Sequence, residues 1–329
     1  MCKRFPIILM IILVLLILFS PETANSGMHD GIDLCLKSLI PSIFPLLFMI
    51  ALLSQHVNYR PSGKNNSFFR FLGLNDGSGS IFLLSLISGY PVGAVTIQDF
   101  LERGIIREQD ANRLMSFCNN AGPAFIFGIS ALLFRTNWVA WVVWGIQIIS
   151  SCMVAVLMPK TGCISTATEN ITSRKSVIAI MTNSIRSMAI ICGWVLFFRV
   201  ITEYINAFLG DTLTNGYIVA IHGILELSNG CIGLSSINSE ALRFVLFNTF
   251  LSFGGACVWM QIISAAKSLI TYQFYYGKAL QTLFSFTLSM LVQSLIFKND
   301  IDSGYLLILT IPCLILISTL VVTLKKKKQ

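Results

Sequence analysis

Two apolar segments interrupted by glycine, proline and polar residues, one in each half of the chain, constrain this fold more than any other feature. The first is SIFLLSLISGYPVGAVTI at residues 80–97, and the second is GYIVAIHGILELSNGCIGLSS at residues 216–236. A further interrupted stretch follows each: SFCNNAGPAFIFGI at 116–129, then LSFGGACVWMQII at 251–263. Their surroundings are membrane-like. The 329 residues are 55% hydrophobic and 12% charged, whereas soluble domains carry about 25% charged residues. In lipid an unpaired backbone N–H or C=O is so costly that irregular backbone persists only inside protein or beside a water-filled cavity. Matched interruptions in two halves therefore point to the binding site of a transporter.

The remaining composition excludes several classes. The net charge of +8 includes the run LKKKK at 324–328, which reads as a cytoplasmic anchor against anionic lipid. No basic patch is interleaved with aromatics, so nucleic acid is not an expected partner. The nine cysteines are odd in number and contain no CxxC, so they read as small buried hydrophobes. His29, His56 and His222 lie far apart without an HExxH, and no catalytic metal is expected. Walker A, GxSxG and paired-carboxylate motifs are missing, so no enzyme is expected. The expected partners are the lipid bilayer and a small-molecule substrate, with a homo-oligomer left open. No cofactor is expected beyond a coupling Na+ or H+.

The expected fold class is an all-α polytopic membrane protein with about eight crossings and two re-entrant hairpins. A first helix runs over 5–20, although Lys3, Arg4 and the apolar run behind them also fit a cleaved secretory signal. A polar loop with Glu22, His29 and Asp30 follows. An interfacial amphipathic helix over 31–40 comes next, and a crossing over 41–55. The 80–97 segment is flanked by Arg60, Lys64 and Arg70 on one side and Arg103, Arg107 and Arg113 on the other. The positive-inside rule keeps both flanks cytoplasmic, so the segment enters and returns, with its tip at Ser88-Gly89-Tyr90-Pro91. Crossings over 114–134 and 138–158 complete the half. The second half repeats the order. An interfacial helix at 176–187 and a crossing at 188–208 lead to the re-entrant 216–236. A crossing at 244–266 breaks at Gly254-Gly255, and another spans 280–297. Lys267 and Lys278 are placed beside an inner loop, and a last crossing covers 305–324. Orientation assigned from Lys and Arg alone makes the halves inverted repeats, with both termini cytoplasmic.

Four clusters carry the candidate chemistry. In SGYPVGA, Gly89, Tyr90, Pro91 and Gly93 break the helix and free carbonyls and N–H groups for a ligand. A simple kink is the plainer reading. In CNNAGP, Asn119 and Asn120 point about 100° apart, so one can face a cavity beside Gly122. Interhelical hydrogen bonding, worth about 0.6 kcal/mol, is the alternative. Glu226, with Ser228 and Asn229 beside it, is a carboxylate in an apolar segment and so a functional-site hypothesis by default. A structural ion pair with Arg199 is its plainer role. Arg199 pairs an anionic substrate, pairs Glu226, or snorkels to the interface. Gly254 and Gly255 mark the last break, and Gln261 and Asn248 are weaker candidates.

With GYPVGA, CNNAGPAFIFG, LELSNG and SFGGACVWMQ in this order, the chain resembles the YlbJ-type sporulation integral membrane proteins of the nucleoside-recognition or Gate-domain family. The resemblance spans about residues 36–295. It implies a core similar to that of concentrative nucleoside transporters, with inverted repeats and two re-entrant hairpins. It also implies a role in endospore formation, moving dipicolinic acid out of the mother cell across the outer forespore membrane. Its ligand region would combine Gly89, Tyr90, Pro91, Gly93, Asn119, Asn120 and Gly122 with Glu226, Ser228, Asn229, Gly254 and Gly255. A Lys often follows the GA of the first hairpin in this pattern, and here Val95 stands there. The domain organisation on this basis is a helix and outer loop at 1–28, a Gate-like repeat at 29–159, a cytoplasmic linker at 160–175, a second repeat at 176–300, and a helix with basic tail at 301–329. The expected function is secondary transport of a small polar or anionic solute, dipicolinate first. A nucleoside-type transporter and a non-transporting scaffold for spore envelope formation are the rivals.

Overall fold

A computed structural model describes residues 5–55, 67–74, 76–160, 175–210, 212–213 and 215–297. The expected last crossing, the basic tail, Arg60, Lys64, His56 and most of the linker lie outside these residues. All regular elements described are helical. Among the described residues, five helices are long and apolar enough to cross a membrane: Pro21–Ser54, Trp138–Leu157, Val177–Leu209, Glu240–Ala265 and Tyr272–Ile296. The chain is an all-α polytopic membrane protein.

The two halves follow one order. Each begins with a long helix, Pro21–Ser54 or Val177–Leu209. Each continues with a hairpin of short helices: Asp76–Ser88 and Val92–Glu102 first, then Asn215–Leu225 and Leu227–Gly233. A broken helix follows, Glu108–Met115 with Pro123–Leu133, or Glu240–Phe253 with Gly255–Ala265. An unbroken helix ends each half, Trp138–Leu157 or Tyr272–Ile296. The expected first-hairpin tip coincides with the gap between its arms. At 1.5 Å per residue, arms of 13 and 11 residues cover about half of a 30 Å hydrocarbon core.

Three expectations need correcting. The polar loop and the interfacial helix of the first half are one helix with the crossing behind them, Pro21–Ser54. Gly27 and Gly31 explain why this polar stretch is helical. A Cβ on Gly27 would lie 2.9 Å from the Arg199 carbonyl oxygen, and one on Gly31 would lie 2.9 Å from Leu196 Cδ2. The small-xxx-small pair thus lets the two long helices meet closely. Pro41 does not end the helix, because a π turn at Cys35–Leu39 precedes it, with the Ile40 N–H donating to the Cys35 carbonyl. In the second half, residues 176–208 also form one helix, capped by Ser176 accepting from the Ala179 N–H at 3.2 Å. Finally, Lys278 does not flank a loop. It lies within Tyr272–Ile296 and is 1% exposed.

The interior divides into two apolar clusters. One joins the long helices through Leu39, Leu47, Met188, Ile191 and Val195, with Val92 and Cys257. The larger one binds hairpins, broken helices and closing helices. Leu39, Ile191 and Val195 of the one and Leu227 and Val258 of the other line a common cavity.

Candidate functional site

The breaks within each half lie against one another. Gly89 has φ +75, and a Cβ there would come within 2.3 Å of the Gly122 backbone nitrogen. A Cβ on Gly93 would lie 2.4 Å from the Cys118 carbonyl oxygen. The Tyr90 N–H donates to the Asn120 carbonyl at 2.7 Å. The hairpin tip is therefore laid across the unwound stretch before Pro123–Leu133. The second half repeats the device. A Cβ on Gly230 would lie 2.2 Å from Gly223 Cα, and Gly255, at φ +74, approaches the Leu227 nitrogen and the Gly223 carbonyl. Gly254, at φ +87, caps the helix before it.

Glu226 sits at the bend of the second hairpin. Its carboxylate accepts from the N–H groups of Ser228 at 3.0 Å and Asn229 at 2.8 Å. It thereby satisfies the start of the Leu227–Gly233 helix and its positive dipole end. Arg199 Nε lies 3.9 Å from Glu226 Oε2. The expected ion pair is present, and Arg199 does not reach the cavity described below. Asn229 turns its amide to the Thr202 hydroxyl at 3.0 Å.

Asn119 and Asn120 are 0% and 1% exposed, and neither lines the cavities described below. Asn120 donates to the Phe117 carbonyl at 2.9 Å and to Ser151 Oγ at 3.2 Å, and Gln281 donates to its Oδ1. Asn119 donates to the Met115 carbonyl at 3.0 Å. Asn120 thus ties the unwound stretch to its neighbours, as the interhelical reading has it, whereas the Asn119 side chain bonds only within its own segment and its Oδ1 is buried without a hydrogen-bond partner.

The halves are bound reciprocally. Gln147, on the first closing helix, donates to the Asn248 carbonyl at 3.2 Å and to Ser285 Oγ at 3.1 Å. Gln281, on the second, reaches Asn120, which holds Ser151. Ser151 donates to the Phe117 carbonyl and Ser285 to the Asn248 carbonyl. Each closing helix thus carries Gln-x-x-x-Ser at one register and reaches the broken helix of the other half. Such exchange of equivalent contacts is the mark of two-fold relatedness. The repeated pentad is legible in the sequence as GIQIISS and ALQTLFS.

A cavity of about 330 Å³ opens where both hairpin tips meet the long helices. Tyr90, Gly122, Glu226 and Ser228, all expected site residues, line it with Ser88, Gln261, Ser38 and Ser42. Gly89, Pro91, Gly93, Asn119, Asn120, Asn229, Gly254, Gly255 and Arg199, also expected, do not line it. The Tyr90 hydroxyl is buried without a hydrogen-bond partner. A second cavity of about 380 Å³ is lined by Asp99, Glu102, Lys175, Arg186 and Gln55. A small pocket of about 20 Å³ at Pro91, Val95, Ser187, Ile190, Ile191, Gln261 and Ala265 shares residues with both. Ile191 and Gln261 also line the first cavity, and Val95, Ser187, Ile190 and Ala265 also line the second. Lys175 closes on Asp99 at 2.6 Å beside the second cavity.

No family model matches the chain, and no solved structure matches it. Over 122 residues it is 27% identical to the sporulation integral membrane protein YlbJ of Bacillus subtilis. The match covers 36% of this chain and 29% of that protein.

Proposed function

We propose that the chain is a secondary transporter of a small polar or anionic solute, acting in the cell membrane or outer forespore membrane during sporulation. The observation that carries this reading is the cavity between the two hairpin tips, with a second, charged cavity and a small pocket that shares lining residues with both. The halves run in opposite sense across the bilayer in this reading, and one half rocks against the other to open a path between the cavities. Similarity to a protein named for sporulation supports the setting. No enzymatic step is proposed.

Dipicolinate is the leading substrate. A cavity of about 330 Å³ sits at the lower end of ligand-site volumes and suits one small ring. Ser38 and Ser228 offer hydroxyl donors to carboxylates, while those of Ser42 and Ser88 donate to the Ser38 and Leu84 carbonyls. Ala124 and Phe125, at the first turn of Pro123–Leu133, also line the wall, where helix N–H groups favour anions. The Glu226 charge is offset by Arg199 and two N–H donors, so the cavity does not simply repel an anion. The same carboxylate is an acceptor for sugar hydroxyls, which keeps a nucleoside as the second reading.

Purified protein in liposomes is expected to give saturable flux of labelled dipicolinate. Flux of a labelled nucleoside alone would move the substrate to the second reading. Folded protein that moves neither would sink transport and favour the scaffold role in spore envelope formation.

A further inference from the structure

Lys278 enters the interior near the start of the last described helix. Gly277 makes this approach feasible, since a Cβ there would lie 2.2 Å from the Ser116 carbonyl oxygen. The Lys278 ammonium donates to three oxygens: the Asn119 carbonyl, the Ser252 carbonyl at 3.3 Å and Gln281 Oε1 at 3.1 Å. No carboxylate pairs with it among the described residues, and the Tyr90 ring centroid is 5.9 Å away. Asn119 lies in the break of the first half. Ser252 lies in the last turn before the Gly254 break of the second. One ammonium thus joins the interrupted backbones of both halves and stands behind a wall of the cavity.

Carbonyls at the ends of broken helices carry the negative end of the helix dipole and lack intrahelical partners. In transporters built on broken helices, such carbonyls coordinate a free Na+ or H+. An ammonium has three donors, and here three acceptors meet it. A buried charge without such partners would be expelled or neutralised.

We propose that Lys278 is a built-in cation: its ammonium fills, between the two breaks, a position that would otherwise take a free monovalent cation, so the breaks stay joined without sodium. The proposal concerns the breaks alone and stands whether or not a solute crosses. It goes beyond the transport reading by removing this position from any sodium coupling.

The test is thermal unfolding of purified full-length protein in detergent, in sodium, ammonium or choline chloride at equal ionic strength. Choline is too large to enter. The unchanged protein is expected to unfold at one temperature, within about 1 °C, in all three salts. Lys278→Ala is expected to unfold roughly 10 °C lower in choline, and to regain at least half of that loss, saturably, in sodium or ammonium. A Lys278→Ala protein equally unstable in all three salts would overturn the proposal. So would stabilisation of the unchanged protein by sodium to the same degree as the variant. If Lys278→Ala yields no folded protein, Lys278→Gln takes its place. That variant is expected to be less stable than the unchanged protein and to respond to sodium. Wild-type stability of Lys278→Gln in choline would show that the charge is not needed and would sink the idea.

Discussion

Gly89→Ala is expected to abolish recovery of folded protein, measured as the monodisperse peak after solubilisation. Two costs combine. The left-handed φ of +75 at this position costs an L-residue about 1–2 kcal/mol. The larger cost is steric. The new Cβ would stand 2.3 Å from the Gly122 nitrogen and 2.6 Å from its Cα, and backbone cannot swing aside as a side-chain tip can. The hairpin tip would have to lift off the unwound stretch, and the Tyr90 to Asn120 hydrogen bond would go with it. The sum exceeds about 4 kcal/mol, a range reached only by a short set of mechanisms. Gly230→Ala, with its Cβ 2.2 Å from Gly223 Cα, is expected to fail in the same way in the second half. Gly145→Ala and Gly193→Ala are the controls. A Cβ at either meets nothing within 4 Å, so both are expected to express like the unchanged protein. Failure of the controls, or normal recovery of Gly89→Ala, would show that the crossed breaks do not hold the fold.

The same geometry explains what the sequence could reveal. Interruptions are legible because Gly, Pro and Glu226 inside apolar runs conflict with an unbroken helix in lipid, and that conflict is local. The tip at Gly89-Tyr90-Pro91 and the break at Gly254-Gly255 could be read for this reason. Lys278 could not. A lysine near the end of an apolar run looks like a loop anchor, and its carbonyl partners lie 159 and 26 residues away. The polar stretch before Leu34 was misread for a related reason. Its helix is held by a distant partner, the backbone around Arg199, through Gly27 and Gly31. Asn119 and Asn120 lie at the break where the sequence puts them, and the Asn120 amide meets Ser151 and Gln281, the interhelical one of the two roles the sequence leaves open. Adjacent amides in an apolar run signal a buried polar need without saying whether a ligand or a neighbouring helix meets it. The Gln-x-x-x-Ser pentads show where more can be found, since comparing the two halves position by position exposes them without any structure.

Glu226 has two tasks, and a four-member set of proteins separates them: unchanged, Glu226→Gln, Arg199→Gln, and both together. Glu226→Gln removes the charge opposite Arg199 and leaves one capping N–H facing an amide that can only donate to it. Arg199→Gln leaves a carboxylate that is 3% exposed with only the two N–H groups of the cap. Each single change is expected to cost about 3 kcal/mol, as when one partner of a buried pair is removed. The double change removes both charges, so it is expected to cost about 1–3 kcal/mol less than the sum of the singles. Solute flux is expected to follow a different rule. Glu226 lines the cavity while Arg199 does not, so a transporter that uses the carboxylate stays inactive in the double variant even though the second change costs less stability than it does alone. If liposomes holding the double variant regain saturable flux, Glu226 serves only as helix cap and counter-ion, and the solute must be held by Tyr90 and the serine hydroxyls around it. If the two losses simply add, the 3.9 Å pair is not coupled, and the cap alone accounts for the carboxylate in this apolar segment.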